Sequence, residues 1–247
     1  MDRALYVGMS GAMQTLLAQT ANSNNLANAG TTGFRAQLID AQSVAVQGPG
    51  LPSRVNAQLI DQGWDATPGT VSQTGRDLDV ALHDGDWLAV QSSDGSEAYT
   101  RAGNLSVDAN GQLLTGDGQP VLGDSGPISV PPYSTIKIAA DGTISIVPAG
   151  QSPNTVATVG RLRVVQAAST ELERGEDGLM RAAPGVTLDS TSGESLVSGA
   201  LEGSNVNLAN TMVTMIQLAR QFDLQTKLMK TAQDNSGASS SLLQFNN

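Results

Sequence analysis

The sequence predicts an α+β chain in which discontinuous N- and C-terminal helices are joined by extended linkers to a central, mainly antiparallel β domain. Three observations carry this reading. Apolar residues recur at helical spacing at both ends of the chain. In the middle the repeat shortens to two and is punctuated by Asx-Gly turns. Stretches rich in Gly and Pro, or in Ser, Thr and Gly, separate the two patterns.

The N-terminal helix is read from Leu5, Met9, Ala12, Leu16, Gln19, Ser23 and Leu26, which step by four and three. That is the a/d spacing of a helical seam. No proline interrupts it, and Gly30 and Gly33 supply a place for it to end. Residues 35–75 follow as an extended linker with weak periodicity, carrying Gly48-Pro49-Gly50 and Thr67-Pro68-Gly69. The β domain is placed at residues 76–183. Leu105 and Val107 alternate with polar neighbours before the hairpin signal Asn110-Gly111. Ile136 and Ile138 are expected to face Ile144 and Ile146 across Asp141-Gly142, and Leu162 and Val164 alternate with arginines. Residues 184–200 read as an extended return linker. In residues 201–247 the helical step reappears at Leu208, Met212, Met215, Ala219, Phe222, Thr226, Met229 and Gln233, with Ile216 widening the stripe. Asn205 or Asn207 is expected to cap this helix, and the final Ser-rich tail to fray. Polar residues at Gln19, Ser23, Thr226 and Gln233 weaken both seams, which points to helices that order fully on assembly.

Composition removes several function classes. The 247 residues carry a net charge of −10, with only 13 Lys and Arg, so the basic surface that nucleic acid requires is missing. There are no cysteines, hence no thiolate chemistry, disulfides or Cys-ligated zinc. No run approaches the length of a membrane span, and the start has neither a basic n-region nor an unbroken apolar core. If the protein leaves the cytoplasm, it is expected to do so by a route other than a cleaved signal.

The chemistry-bearing residues read as turns. His83 is the only histidine and sits in His83-Asp84-Gly85-Asp86, a turn at the mouth of a strand. Asp77, Asp79, Asp84 and Asp86 lie close in sequence, and Asp108, Asn110 and Gly111 loosely follow a calcium loop, but its bidentate glutamate is missing. Neither GxxxxGK[ST] nor a strand-to-helix GxGxxG occurs. The expectation is no catalytic residue, no cofactor and no metal site.

Four stretches resemble one family. Ser23 to Gln37, SNNLANAGTTGFRAQ, is similar to the N-terminal signature of flagellar rod and hook proteins: a helix ending in NNLAN, a Thr-containing turn, then GF and a basic residue. Thr67 to Gln91 and Tyr99 to Gly123 resemble the segments that enter and build that family's β domain. Leu201 to Asn235 resembles its C-terminal helix. Within the family the likeness is greatest to the proximal-rod member. The distal-rod member usually has ETSNV where this chain has Glu202-Gly203-Ser204-Asn205-Val206.

The resemblance implies a non-enzymatic structural subunit. It would be exported by the flagellar type III apparatus and assembled in the periplasmic space. Its partners would be other rod proteins and copies of itself in a helical tube, its terminal helices forming a coiled-coil-like layer. Leu5, Met9, Ala12, Leu16 and Leu26, with Met212, Met215, Ile216, Phe222 and Met229, are the candidate assembly interface. Asn25, Asn28, Gly33 and Phe34 are the candidate helix-exit motif. A secreted ligand-binding or adhesin module, and a cell-wall hydrolase, are the alternatives from other classes.

Overall fold

The structure, a computed structural model, describes residues 2–45, 55–175 and 177–244. Gly48-Pro49-Gly50 lies outside the described residues. The chain divides into two units, one built from residues 1–29, 37–63 and 206–247, the other from residues 30–36 and 64–205.

The first unit holds both helices, α1 (Asp2–Ala27) and α2 (Leu208–Gln244). They pack antiparallel: Thr15 meets Gln225, and the Asn22 side-chain amide donates to the Thr211 carbonyl at 2.9 Å. Asn207 caps α2, its Oδ1 accepting from the Asn210 amide at 3.0 Å. The helix continues through the Ser-rich stretch expected to fray, reaching Gln244. The segment read as a linker contributes a two-stranded ribbon of β1 (Gln37–Ala45) and β2 (Val55–Trp64).

The second unit is the antiparallel β body. Its early strands are β3 (Val71–Gln73), β4 (Val80–Leu82), β5 (Asp86–Gln91) and β6 (Glu97–Thr100). Short pairs follow, β7 (Ser106–Val107) with β8 (Leu113–Leu114) and β9 (Leu122–Gly123) with β10 (Gly126–Pro127). Next come β11 (Tyr133–Ile138), β12 (Thr143–Pro148) and β13 (Ala157–Arg161), which form a three-stranded sheet. The last strands are β14 (Val164–Gln166), β15 (Leu172–Arg174), β16 (Met180–Ala182), β17 (Leu196–Ser198) and β18 (Ala200–Glu202). The largest sheet has the order β14-β5-β6-β16-β15.

The two-residue period explains the core. On β5, Leu88 and Val90 join one apolar cluster while Trp87 and Ala89 join another, so both faces of this strand are buried. The Asp141-Gly142 hairpin has the register read from sequence, Ile136 opposite Ile146 and Ile138 opposite Ile144, with all four buried. Val107 pairs with Leu113 across Asn110-Gly111. Within residues 184–200, Leu188 and Leu196 enter the two clusters, and β17 pairs with β4.

Candidate assembly site

Close approach of α1 and α2 depends on small residues. A Cβ on Gly8 would lie 2.8 Å from Met229 Cγ, and one on Gly11 would lie 2.9 Å from Gln225 Nε2. Thr15 Oγ1 donates to the Gly11 carbonyl at 2.9 Å and reaches Gln225 Oε1 at 3.3 Å. The face of α1 turned to α2 thus runs through Gly8, Gly11, Thr15 and Asn22. On α2, Thr211, Met215, Leu218, Phe222, Gln225 and Met229 continue the alternating step, Thr211 buried and the others half-buried.

The candidate interface residues differ in exposure within the single chain. Ala12 is buried and Leu5 and Leu26 are half-buried, but Met9 and Leu16 are 51% and 45% exposed. On α2, Met215, Phe222 and Met229 are half-buried, whereas Met212 and Ile216 are exposed. The reason is physical: glycines and hydrogen-bonded Thr, Asn and Gln carry the contact within the chain. Met9, Leu16, Met212 and Ile216 are exposed, while Met229 packs beside Gly8.

The outward faces of the helices differ in character. From Ala4 to Phe34 the sequence has no charged residue, yet Tyr6, Met9, Met13, Leu16 and Leu17 are exposed on α1. A helix with no charged face and a broad exposed apolar surface is poorly suited to water. On α2, Leu208, Met212, Val213, Ile216, Leu224 and Leu228 are also exposed. Arg220, Asp223, Lys227, Lys230 and Asp234 are exposed too, so α2, unlike α1, carries charge outside the buried stripe.

The helix-exit motif is built from reciprocal hydrogen bonds. In the first unit the Asn25 side chain brackets one backbone position: its Oδ1 accepts from the Gln37 amide at 2.9 Å, and its Nδ2 donates to the Gln37 carbonyl at 3.0 Å. Asn28 ends the helix, with backbone and side-chain nitrogens both donating to the Asn24 carbonyl. In the second unit Gly33 has φ +68° and donates its amide to the Glu202 carbonyl at 2.8 Å. A Cβ there would overlap the Arg101 carbonyl. Phe34 is buried, and the Arg174 guanidinium stands 4.5 Å from its ring centre.

Sequence reading missed two features of the second unit. Asn205 is not a cap. Its Oδ1 accepts from the Ala36 amide at 2.8 Å, its Nδ2 donates to the Asp65 and Thr67 carbonyls at 3.0 Å each, and its own amide donates to the Phe34 carbonyl. It therefore laces three chain passes together. Beside it Glu202, 1% exposed, lies between two buried guanidiniums. Arg35 Nη2 is 2.7 Å from Oε1, and Arg101 Nε is 2.7 Å from Oε2. The only signal for this was a charged residue inside each of three family-like stretches, GFR, YTR and LEG.

A cleft of about 240 Å³ in this unit is lined by Arg35, Trp64, Asp84, Trp87, Arg101 and Ser169. Its guanidiniums already bond Glu202, and Asp84 faces no second carboxylate in the lining. Burial pushes the Asp86 carboxyl above its usual range and holds Arg35 below its own. Asp79 accepts from Thr74 and pairs with Arg76. Asp108 and Asp141 are held below the usual carboxylate range by turn amides, those of Gln112 and Thr143 first. Among the described residues no group of three or more metal-ligating side chains converges, and no helix is long and apolar enough to cross a membrane.

Comparison with known proteins matches three segments of the chain to family models. Residues 5–35 match the model described as flagella basal body rod protein, and residues 82–146 match the flagellar hook protein FlgE/F/G D1 domain. Residues 197–242 match the flagellar basal body rod FlgEFG protein C-terminal model. The chain is 48% identical to the flagellar basal-body rod protein FlgF of Escherichia coli (strain K12), covering 98% of this chain and 99% of the relative. It is 47% identical to FlgF of Salmonella typhimurium over the same shares. To FlgG of Bacillus subtilis (strain 168) it is 30% identical, over 95% of this chain and 96% of the relative. The chain belongs to the flagellar basal-body rod protein family, and within it is similar to FlgF.

Proposed function

We propose that this chain is a structural subunit of the proximal flagellar rod, with no chemical step of its own. It is exported by the flagellar type III apparatus and assembles in the periplasm with other rod proteins and copies of itself. Residues 1–34 and 201–247 supply a coiled-coil-like inner layer, residues 76–183 the outer β domain, and residues 35–75 and 184–200 the connecting segments. Head-to-tail packing that does not close gives a helical tube. Torque then passes through many contacts loaded together.

The observation that carries this reading is α1: charge-free from Ala4 onward, with five large apolar side chains exposed. Surface of that kind is covered in an assembly. The proximal position is favoured over the distal one by 48% identity to an FlgF against 30% to an FlgG. The Gly203 departure from ETSNV is no steric requirement, since a Cβ there meets Thr70 only at 3.5 Å.

The test uses Leu16→Asp, which places a charge on the exposed stripe. The purified monomer keeps its helix content, while rods and swimming are lost, since an uncompensated charge buried at an interface costs roughly 3–5 kcal/mol. Normal swimming with Leu16→Asp contradicts the assignment of this face.

A further inference from the structure

Glu202 is a buried carboxylate with several charged and neutral donors around it. Its Oε1 accepts from Arg35 Nη2 at 2.7 Å and from the Gly69 amide at 2.8 Å. Its Oε2 accepts from Arg101 Nε at 2.7 Å and Nη2 at 2.5 Å, and its carbonyl accepts from the Gly33 amide. One residue of β18 thus ties the segment that follows α1, the segment before β3 and the end of β6.

The arginines have no substitute for it. Arg101 spends its other donors on the carbonyls of Leu82, His83 and Asp86. Arg35 bonds the Thr67 carbonyl, and its Nε has no partner among the described residues. Both side chains are 2% exposed. Two buried guanidiniums sharing one carboxylate are a loss without it, because a lone buried charge is not repaid by neutral hydrogen bonds alone. Within the second unit Glu202 is also nearly the last residue in chain order.

We infer that Glu202 is the keystone of a latch: the β body closes over Arg35 and Arg101 only once the segment leading into α2 has been laid down beside the segment leaving α1. An incompletely delivered or clipped chain leaves two cations uncovered and stays open. The latch therefore ties a finished body to delivery of the chain as far as Glu202. It goes beyond the assembly reading and is measured on the monomer.

The test is a full-chain urea chevron followed by tryptophan fluorescence. Trp64 and Trp87 are the only tryptophans, 5.2 Å apart, and the Arg101 guanidinium stands 5.7 Å from the Trp87 ring. Glu202→Gln keeps the shape and removes the charge. The expected result is a loss of roughly a hundredfold or more in the folding equilibrium constant. It falls on the unfolding rate, with the folding rate little changed, because the latch closes last. Glu202→Asp, which keeps the charge, loses less and serves as the measured variant if Glu202→Gln is unfolded without urea. An unchanged midpoint for Glu202→Gln, a loss confined to the folding rate, or a greater loss for Asp than for Gln overturns the latch. Each of these leaves the assembly role standing, because that role is read from swimming and rods.

Discussion

Gly33→Ala and Gly30→Ala are the same chemical change three residues apart, and the structure gives them different outcomes. Gly33 sits at φ +68°, where a Cβ costs about 1–2 kcal/mol. The added carbon would also overlap the Arg101 backbone, so a strand end must shift, at about 1–3 kcal/mol. The shift weakens the Gly33 amide's bond to the Glu202 carbonyl, worth about 1 kcal/mol. Together these amount to roughly 3–6 kcal/mol. Gly30 has no positive φ, and among the described residues nothing lies within 4 Å of its Cβ position. Its substitution is expected within about 0.5 kcal/mol of wild type. Urea titration read by tryptophan fluorescence measures both. Equal stabilities for the two variants, or a wild-type midpoint for Gly33→Ala, would refute the argument that the helix exit is held by backbone contact.

Two further outcomes follow from the same contacts. Asn205→Ala removes three side-chain hydrogen bonds at a half-buried position, with an expected loss of about 2–3 kcal/mol in the same titration. Asp177 is held down to about 2, first by its hydrogen bonds from Arg181. A lowered carboxyl pKa stabilises the fold above the unfolded value near 4 and loses that contribution as pH falls towards 2. Because the pair is solvent-exposed, Asp177→Asn is expected to cost at most about 1 kcal/mol at pH 7. In pH-dependent melts the difference from wild type shrinks below about pH 4 and is gone only below about pH 2.

What was legible in the sequence was local. The register of Ile136 with Ile146 follows from a two-residue period and an Asp-Gly turn, all within a dozen positions. The end of α1 follows from Asn and Gly chemistry. Apolar spacing on α1 locates large side chains, of which Met9 and Leu16 are exposed and do not carry the contact with α2. Gly8, Gly11 and Thr15 carry the contact by being small, a property a hydrophobic pattern does not register. The Glu202 cluster was invisible because its charge partners lie up to 167 positions away in a single chain (202 − 35). Asn205 looked like a cap because it stands just before a helix, yet Asn207 fills that role.

The most direct test of the central claim is an in-frame deletion of the gene, complemented with either the full chain or a copy lacking residues 2–28. Swimming and isolated basal bodies are then examined. The account predicts that the deletion loses motility and the rod beyond the inner membrane, and that only the full chain restores them. Intact rods and normal swimming in the deletion, or full rescue by the copy without α1, would contradict it.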